Sequence, residues 1–156
     1  MRRTDREIKE FDEIVAVMRK CEVCHLALHD EEYPYLIPLN FGLQVKAHEV
    51  TLYFHGAMEG TKYELIAKNQ NVSFAMNCAH RLVTKEDSAQ TTMEYESVIG
   101  QGIIEIVSEE ERCAGLKIIM EQYTKTPDTS ISPRMIPHVN VMKLRVLRMT
   151  GKRNPA

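Results

Sequence analysis

Thr51-Leu52-Tyr53-Phe54-His55-Gly56-Ala57-Met58-Glu59-Gly60-Thr61-Lys62 is the stretch on which the reading of this chain turns. It opens with β-branched and aromatic residues, a composition that favours a strand. The run breaks at Gly56, passes through small residues and restarts at Thr61. Thr61 and Glu64 have capping-box spacing, which predicts a helix with Thr61 as its N-cap. A strand, a glycine turn and a helix start together make a place for an anion. Gly56 and Gly60 allow close approach to the backbone. The open N–H groups and the positive end of the helix favour negative charge, and Lys62 adds an ammonium. A phosphate suits such a corner. A plain strand-turn-helix junction with an exposed lysine is the competing reading, because the stretch is neither a full P-loop nor a GxGxxG fingerprint.

The length of 156 residues predicts one domain, taken here as residues 1–150 with a short polar tail at 151–156. A chain this long can bury a core without staples. A net charge of −2 argues against nucleic acid as a main partner. No apolar run reaches the ~20 residues of a membrane span. The N-terminus is charged (Arg2, Arg3, Asp5, Arg6) with no apolar core behind it, so a cytoplasmic protein is expected. Its four cysteines then read as free thiols rather than disulfides.

Thr4 and Glu7 form another capping box, ahead of Ile8, Phe11, Ile14, Val15 and Met18 at helical spacing. The helix ends near Lys20. Cys21-Glu22-Val23-Cys24-His25 matches the C-x-x-C-H pattern of haem attachment. On a strand, residues 21 and 24 would face opposite sides, and no second paired motif completes a zinc set. No metal site is therefore expected. Tyr33 to Val45 reads as one long strand interrupted by Pro34 and Pro38, which places it at an edge or bulge with unpaired backbone groups.

Leu65 and Ile66 form the inner side of the helix that starts at Thr61. Val72 to Cys78 is the next strand, and Lys85 to Gln90 reads as a loop. Thr91 to Val107 follows as a long strand, with Gly100 and Gly102 marking bulges. Ser108 opens a helix with a third capping box and an apolar face of Leu116, Ile119, Met120 and Tyr123. A loop with three prolines spans Thr124 to Pro137, and His138 to Met149 alternates as a final strand. Mostly antiparallel strands with a few helices predict a small barrel whose open ends the helices cover.

Four stretches, in this order, resemble the pyridoxamine-5′-phosphate-oxidase-like flavin-nucleotide-binding proteins, above all their nitroimidazole-resistance (Nim-type) branch. They are Arg3-Thr4-Asp5-Arg6-Glu7-Ile8, Tyr33-Pro34-Tyr35-Leu36-Ile37-Pro38-Leu39-Asn40-Phe41-Gly42, Tyr53 to Lys62, and Tyr95-Glu96-Ser97-Val98-Ile99-Gly100-Gln101-Gly102. The resemblance covers roughly residues 1 to 150. It implies a mainly β fold with α: an antiparallel, FMN-binding split β-barrel flanked by a few helices, assembled as a homodimer with cofactor sites at the subunit interface. It also implies which residues hold FMN. Gly56, Gly60, Thr61 and Lys62 take the phosphate. Ile37, Pro38, Leu39, Asn40 and Phe41 lie along the ring, and their backbone meets its polar edge. Tyr95, Ser97 and Val98 reach the pocket from the second subunit. His55 lies close to flavin and substrate, and is the expected catalytic residue as well as a cofactor contact, since an imidazole both donates and accepts protons.

The function so implied is an FMN-dependent oxidoreductase acting on a small-molecule acceptor, of the nitroimidazole or nitro-aromatic reductase kind rather than a true pyridoxamine oxidase. NAD(P)H would serve as a transient reductant, because the chain carries no dinucleotide fingerprint. The alternatives are a flavin-binding or storage module without turnover, or a haem-binding split barrel.

Overall fold

The run from Tyr33 to Val45, expected as one strand, is two strands in the computed structural model, which describes residues 3–85, 90–124 and 131–155. Tyr35–Leu39 (β3) pairs with Cys24–Leu28 (β2), whereas Gly42–Lys46 (β4) pairs with Glu49–Gly56 (β5). The chain corners at Asn40 and Phe41. The Asn40 side-chain amide donates to the Glu22 carbonyl (3.0 Å). The Phe41 N–H donates to the Tyr123 hydroxyl (2.9 Å), which in turn donates to the Glu22 carbonyl (2.7 Å). The Phe41 ring is fully buried. These bonds satisfy backbone groups that a proline-interrupted strand leaves without ladder partners.

That corner sets the architecture. Asn71–Lys85 (β6), Gln90–Ile106 (β7) and Asn140–Asn154 (β8) complete an antiparallel sheet of order β3-β2-β6-β7-β8-β5-β4, and Glu7–Ile8 (β1) pairs with β8. The two end strands are consecutive in the chain with two residues between them, so the sheet has to curl until its edges approach. No ladder joins β3 to β4, and the barrel stays split. Phe41, Phe54, Phe74, Met18, Leu26, Leu52, Ile104 and Met142 fill its interior.

The irregularity expected at Gly100 and Gly102 of β7 falls beside Gly102, but the extra residue belongs to the partner strand β8, and Gly100 pairs in register with Met149. The register of β7 on β8 jumps between Gln101 and Gly102, opposite an extra residue at Leu147. A second bulge between Cys78 and Arg81, with Ala79 at φ 57°, lets β6 run past the expected end at Cys78 as far as Lys85. The loop expected over 85–90 lies mostly at 86–89, outside the described residues, as do 125–130 of the proline loop. The polar residues 152–154 are strand rather than tail. Asn154 is buried and donates to the Met93 carbonyl.

Local cap signals yield to tertiary pairing. Thr4–Arg6 is a short 3₁₀ turn and Glu7–Ile8 joins β8, so the first helix starts at Phe11 (α1, Phe11–Lys20) rather than behind a Thr4 cap. Thr61 is the first residue of Thr61–Lys68 (α2), and Gly60 takes the N-cap place. Ser108 does precede Glu109–Tyr123 (α3), without a side-chain cap bond. The third helix docks differently from its expected apolar face. Met120 and Tyr123 are exposed, while Gly115 and Ile119 are buried against the sheet.

Glu96 ties three elements together. Its buried carboxylate accepts from Lys20 Nζ of α1 (2.7 Å) and Arg153 Nε of β8 (2.6 Å). Burial alone would favour the neutral acid, but the two cations outweigh it and hold the Glu96 pKa below its ordinary value of 4.5. The stabilisation from this depressed pKa is present above the unfolded value and is lost as pH falls through the lower folded one. Glu96→Gln is therefore expected to cost about 1–2 kcal/mol at neutral pH, discounted because Lys20 is half exposed. It should also flatten the acid limb below about pH 4.5. Urea unfolding of both proteins between pH 3 and 7 checks this; parallel curves would remove the ion pairs from the account.

Candidate anion-binding site

The pleat of β5 decides what its end presents. Leu52 and Phe54 point into the core, and Tyr53 and His55 point the other way. Gly56 returns to the inner side, opposite Asn140 of β8. A Cβ there would lie 2.8 Å from the Tyr63 hydroxyl, 2.9 Å from Lys62 Cε and 3.0 Å from Lys62 Nζ. The lysine therefore folds back over Gly56, and the absence of a side chain makes room for it. Gly60 has φ 137° and ψ 160°, a conformation open to glycine alone. Its hypothetical Cβ would stand 3.8 Å from Lys62 Nζ. One ammonium thus overlooks both glycines, and it also sits 4.3 Å from the Tyr63 ring centroid.

Helix α2 starts at the same corner. Tyr63 N–H donates to the Gly60 carbonyl (3.0 Å), so Thr61 and Lys62 carry the helix's open N–H groups. Asn140 anchors the turn by donating to the Met58 carbonyl (2.8 Å), and it accepts from Arg112 of α3 (3.3 Å). Tyr63 is only 9% exposed, and its hydroxyl has no hydrogen-bond partner among the described residues. Burial raises its pKa and keeps it a neutral donor. Chemically the corner offers an ammonium, backbone donors and a hydroxyl, all suited to a phosphate.

Gly56, Gly60, Thr61 and Lys62 are thus brought together as expected. His55, next in sequence, is not. It is exposed on the opposite face of β5, the side on which α3 covers Tyr53 and Val141. On β3, Ile37 and Leu39 pack half-buried on the core while Pro38 faces outward. The strand ends the sheet, which leaves its outer backbone edge without a strand partner. Asn40 is tied to Glu22, and Phe41 is withdrawn into the core with its N–H already bonded.

Tyr95 and Ser97 alternate onto the outer face of β7. Lys152 lies opposite Ser97, with its ammonium 5.3 Å from the Tyr95 ring centroid. Val98 alternates inward and its side chain is fully buried in its own barrel, unlike the outward Tyr95 and Ser97 expected with it at a second subunit.

Cys21 and Cys24 are both buried rather than on opposite faces, because Cys21 ends α1 and only Cys24 is strand. Burial pushes the Cys21 thiol up to about 12 and the Cys24 thiol higher still. Neither is exposed for attachment to haem. Among the described residues, no group of three or more His, Cys, Asp or Glu could hold a metal ion. Arg81 is held by both oxygens of Glu94.

A groove of about 720 Å³ crosses the outer face of the sheet between Ala27, Ser73, Gln101 and Arg148. It contains none of the residues expected from sequence. Sequence reasoning missed Tyr63, Asn140 and Arg112. Tyr63 could have been found as the aromatic that follows the lysine, aligned with the buried Ile66 of the same helix. Asn140 and Arg112 leave no local signal.

The chain matches the family described as "Pyridoxamine 5′-phosphate oxidase" over residues 10–153. A solved structure from Bacteroides thetaiotaomicron, provisionally named a 5-nitroimidazole antibiotic resistance protein, is 33% identical; the match covers 94% of this chain and 86% of that one, with a TM-score of 0.81. A flavocytochrome from Azotobacter vinelandii matches at 14% identity, 100% and 72% coverage and a TM-score of 0.80. An FAD and heme binding protein from Mycobacterium smegmatis matches at 12% identity, 97% and 74% coverage and a TM-score of 0.80. The latter two likenesses are of fold. No curated protein matches the chain.

Proposed function

The chain belongs to the pyridoxamine 5′-phosphate oxidase family, and from that premise we propose that it is an FMN-binding oxidoreductase of the nitro-aromatic reductase kind. The observation that carries this reading is the Lys62 ammonium folded over two glycines at the start of α2. The corner fits the phosphate of FMN: Gly56 leaves a cradle that a Cβ would fill, and an ammonium, helix N–H groups and a hydroxyl supply donors beside it.

When bound, a flavin passes a hydride or single electrons between a reductant and an acceptor. The residues of the chain supply the rest. Lys62 and the N–H groups of Thr61 and Lys62 hold the phosphate end, and the free edge of β3 suits the polar edge of the ring. His55, an exposed imidazole on the face of the strand end away from the phosphate corner, would exchange a proton with an acceptor bound on that face. NAD(P)H serves as a transient reductant.

A homodimer supports the ring-binding half of the site. Leu36 (63% exposed), Ile99 (59%) and Leu147 (56%) are large apolar residues on the sheet's outer side, where Tyr95 and Ser97 also stand. A second copy would bury them and bring Tyr95 and Ser97 to its neighbour's pocket. No described helix is long and apolar enough to cross a membrane. A haem reading based on residues 21–25 has no such support, because both thiols are buried.

An absorbance scan of the purified protein from about 300 to 550 nm tests this proposal. Flavin bands, bleached anaerobically by NADH or NADPH, are the expected result. A colourless protein that takes up no FMN would overturn it. His55→Ala is expected to keep wild-type FMN affinity and lose most nitro-aromatic turnover, about a hundredfold for a proton-transfer group. Equal turnover would reduce His55 to scaffold.

A further inference from the structure

We infer that the Tyr63 hydroxyl is a third donor of the Gly56–Lys62 corner and makes it selective for a terminal phosphate monoester over a phosphate diester. This rests on the reading of that corner as a phosphate site. Three observations carry it.

First, the tyrosine is nine-tenths buried and its hydroxyl has no partner among the described residues. Such orphans are rare in folded proteins and mark strain, function or a missing ligand. Second, the orphan and the lysine flank one point. The same hypothetical Cβ on Gly56 would stand 2.8 Å from the hydroxyl and 3.0 Å from the ammonium. An ammonium donates and cannot accept, and the Tyr63 hydroxyl, which makes no bond to it, keeps its own proton free to donate. Two donors facing a shared space with no acceptor between them call for an anionic oxygen. Third, the Tyr63 ring belongs to the hydrophobic core, so the hydroxyl cannot swing away to find water. Its position is set before any ligand arrives, and little ordering is lost on binding.

The kind of oxygen follows from the space. The hydroxyl, the lysine and Gly56 crowd one another, with a Cβ on Gly56 meeting the first two at 2.8 and 2.9 Å, and a terminal oxygen brings fewer atoms into that space than a substituted one. A monoester dianion has three equivalent terminal oxygens for the three kinds of donor: ammonium, helix N–H and hydroxyl. In a diester, one of those oxygens carries a further substituent and the charge falls to one. FMN ends in the first group, and the flavin-side phosphate of FAD is the second. Burial also raises the Tyr63 pKa, which keeps the proton on the hydroxyl through neutral pH.

The test is fluorescence titration of wild type, Tyr63→Phe and Lys62→Ala with FMN, FAD and riboflavin. Wild type should bind FMN at least tenfold more tightly than FAD. Tyr63→Phe should weaken FMN about tenfold or more, leave riboflavin unchanged and erase most of the preference over FAD. Without ligand, its melting temperature should hold or rise, because the change removes an unsatisfied buried group and keeps the ring. A residue with a merely structural role would not shift the FMN-to-FAD ratio. Unchanged FMN affinity in Tyr63→Phe, with Lys62→Ala impaired, overturns the assignment of Tyr63 and leaves the corner standing. Wild type that binds FMN no better than riboflavin overturns the phosphate reading itself, and Tyr63 falls with it. A wild-type FMN-to-FAD ratio near one contradicts the selectivity whatever the variant does.

Discussion

Lys62→Ala is expected to weaken FMN binding about ten- to a hundredfold while leaving riboflavin affinity unchanged. The figure is the loss of one charge-assisted contact, about 1.5–3 kcal/mol. Lys62 lies close to both glycines of the turn and has the Tyr63 ring as a backing. No acidic side chain pairs with it among the described ion pairs, so its charge is available to a ligand. The ligand-free protein should keep its melting temperature, since the lysine supports no other element. Part of the effect should fade at high salt, because the corner lies at the surface and screening weakens the attraction in wild type. Calorimetric titration with the two flavins at low and high salt provides the check. A variant that binds FMN as wild type does would move the phosphate elsewhere.

Gly42→Ala is expected to be severely damaging for a single added methyl group. A Cβ on Gly42 would sit 2.5 Å from the Ile119 nitrogen and 2.6 Å from both the carbonyl carbon and oxygen of Ile118. All three are backbone atoms of α3 and cannot rotate away. The helix would have to lift off β4. Gly115 makes a matching close approach on the helix side, where its Cβ would meet Val141 Cγ1 at 2.7 Å. The third helix is thus held by backbone on sheet, with one large apolar residue, Ile119, buried at the contact. It carries Tyr123 to the Asn40–Phe41 corner and Arg112 to Asn140. Lifting it disturbs both the split of the barrel and the anchor of the phosphate turn. We expect a loss of about 3 kcal/mol, at the upper end for overpacking, or about 6–12 °C in melting temperature for a chain of this size. FMN affinity should fall with it. A melting temperature within about 2 °C of wild type would show that α3 is less closely seated than described.

Much of this was legible in the chain, for physical reasons that differ by element. The strands β2, β5 and the core of β6 are periodic over several residues, and burial follows the period. The grouping of Gly56, Gly60, Thr61 and Lys62 was legible because glycine, helix start and lysine act locally, within seven residues. The helix at Thr61 starts where expected, but the caps expected at Thr4 and Thr61 yield to other demands: β1 pairs with β8, and Gly60 takes the N-cap place with Thr61 inside the helix. Two strands could not be read from Tyr33–Val45, because the corner at Asn40 depends on Glu22 and Tyr123, distant in sequence. His55 looked like a neighbour of Lys62 because it is close in sequence, but the two-residue period of a strand turns it to the other face. Val98 was assigned outward by motif, although alternation with the outward Ser97 puts it in the core. Tyr63 was read past entirely, since an orphaned hydroxyl exists only in three dimensions.

The central claim is that a phosphate is held where β5 turns through Gly56 into α2. A crystal structure of the protein grown with FMN tests it most directly. The account predicts phosphate oxygens within hydrogen-bond distance of Lys62 Nζ and of the Thr61 and Lys62 N–H groups. Clear density for FMN with its phosphate elsewhere, and this corner filled by water or by the protein's own side chains, would contradict it.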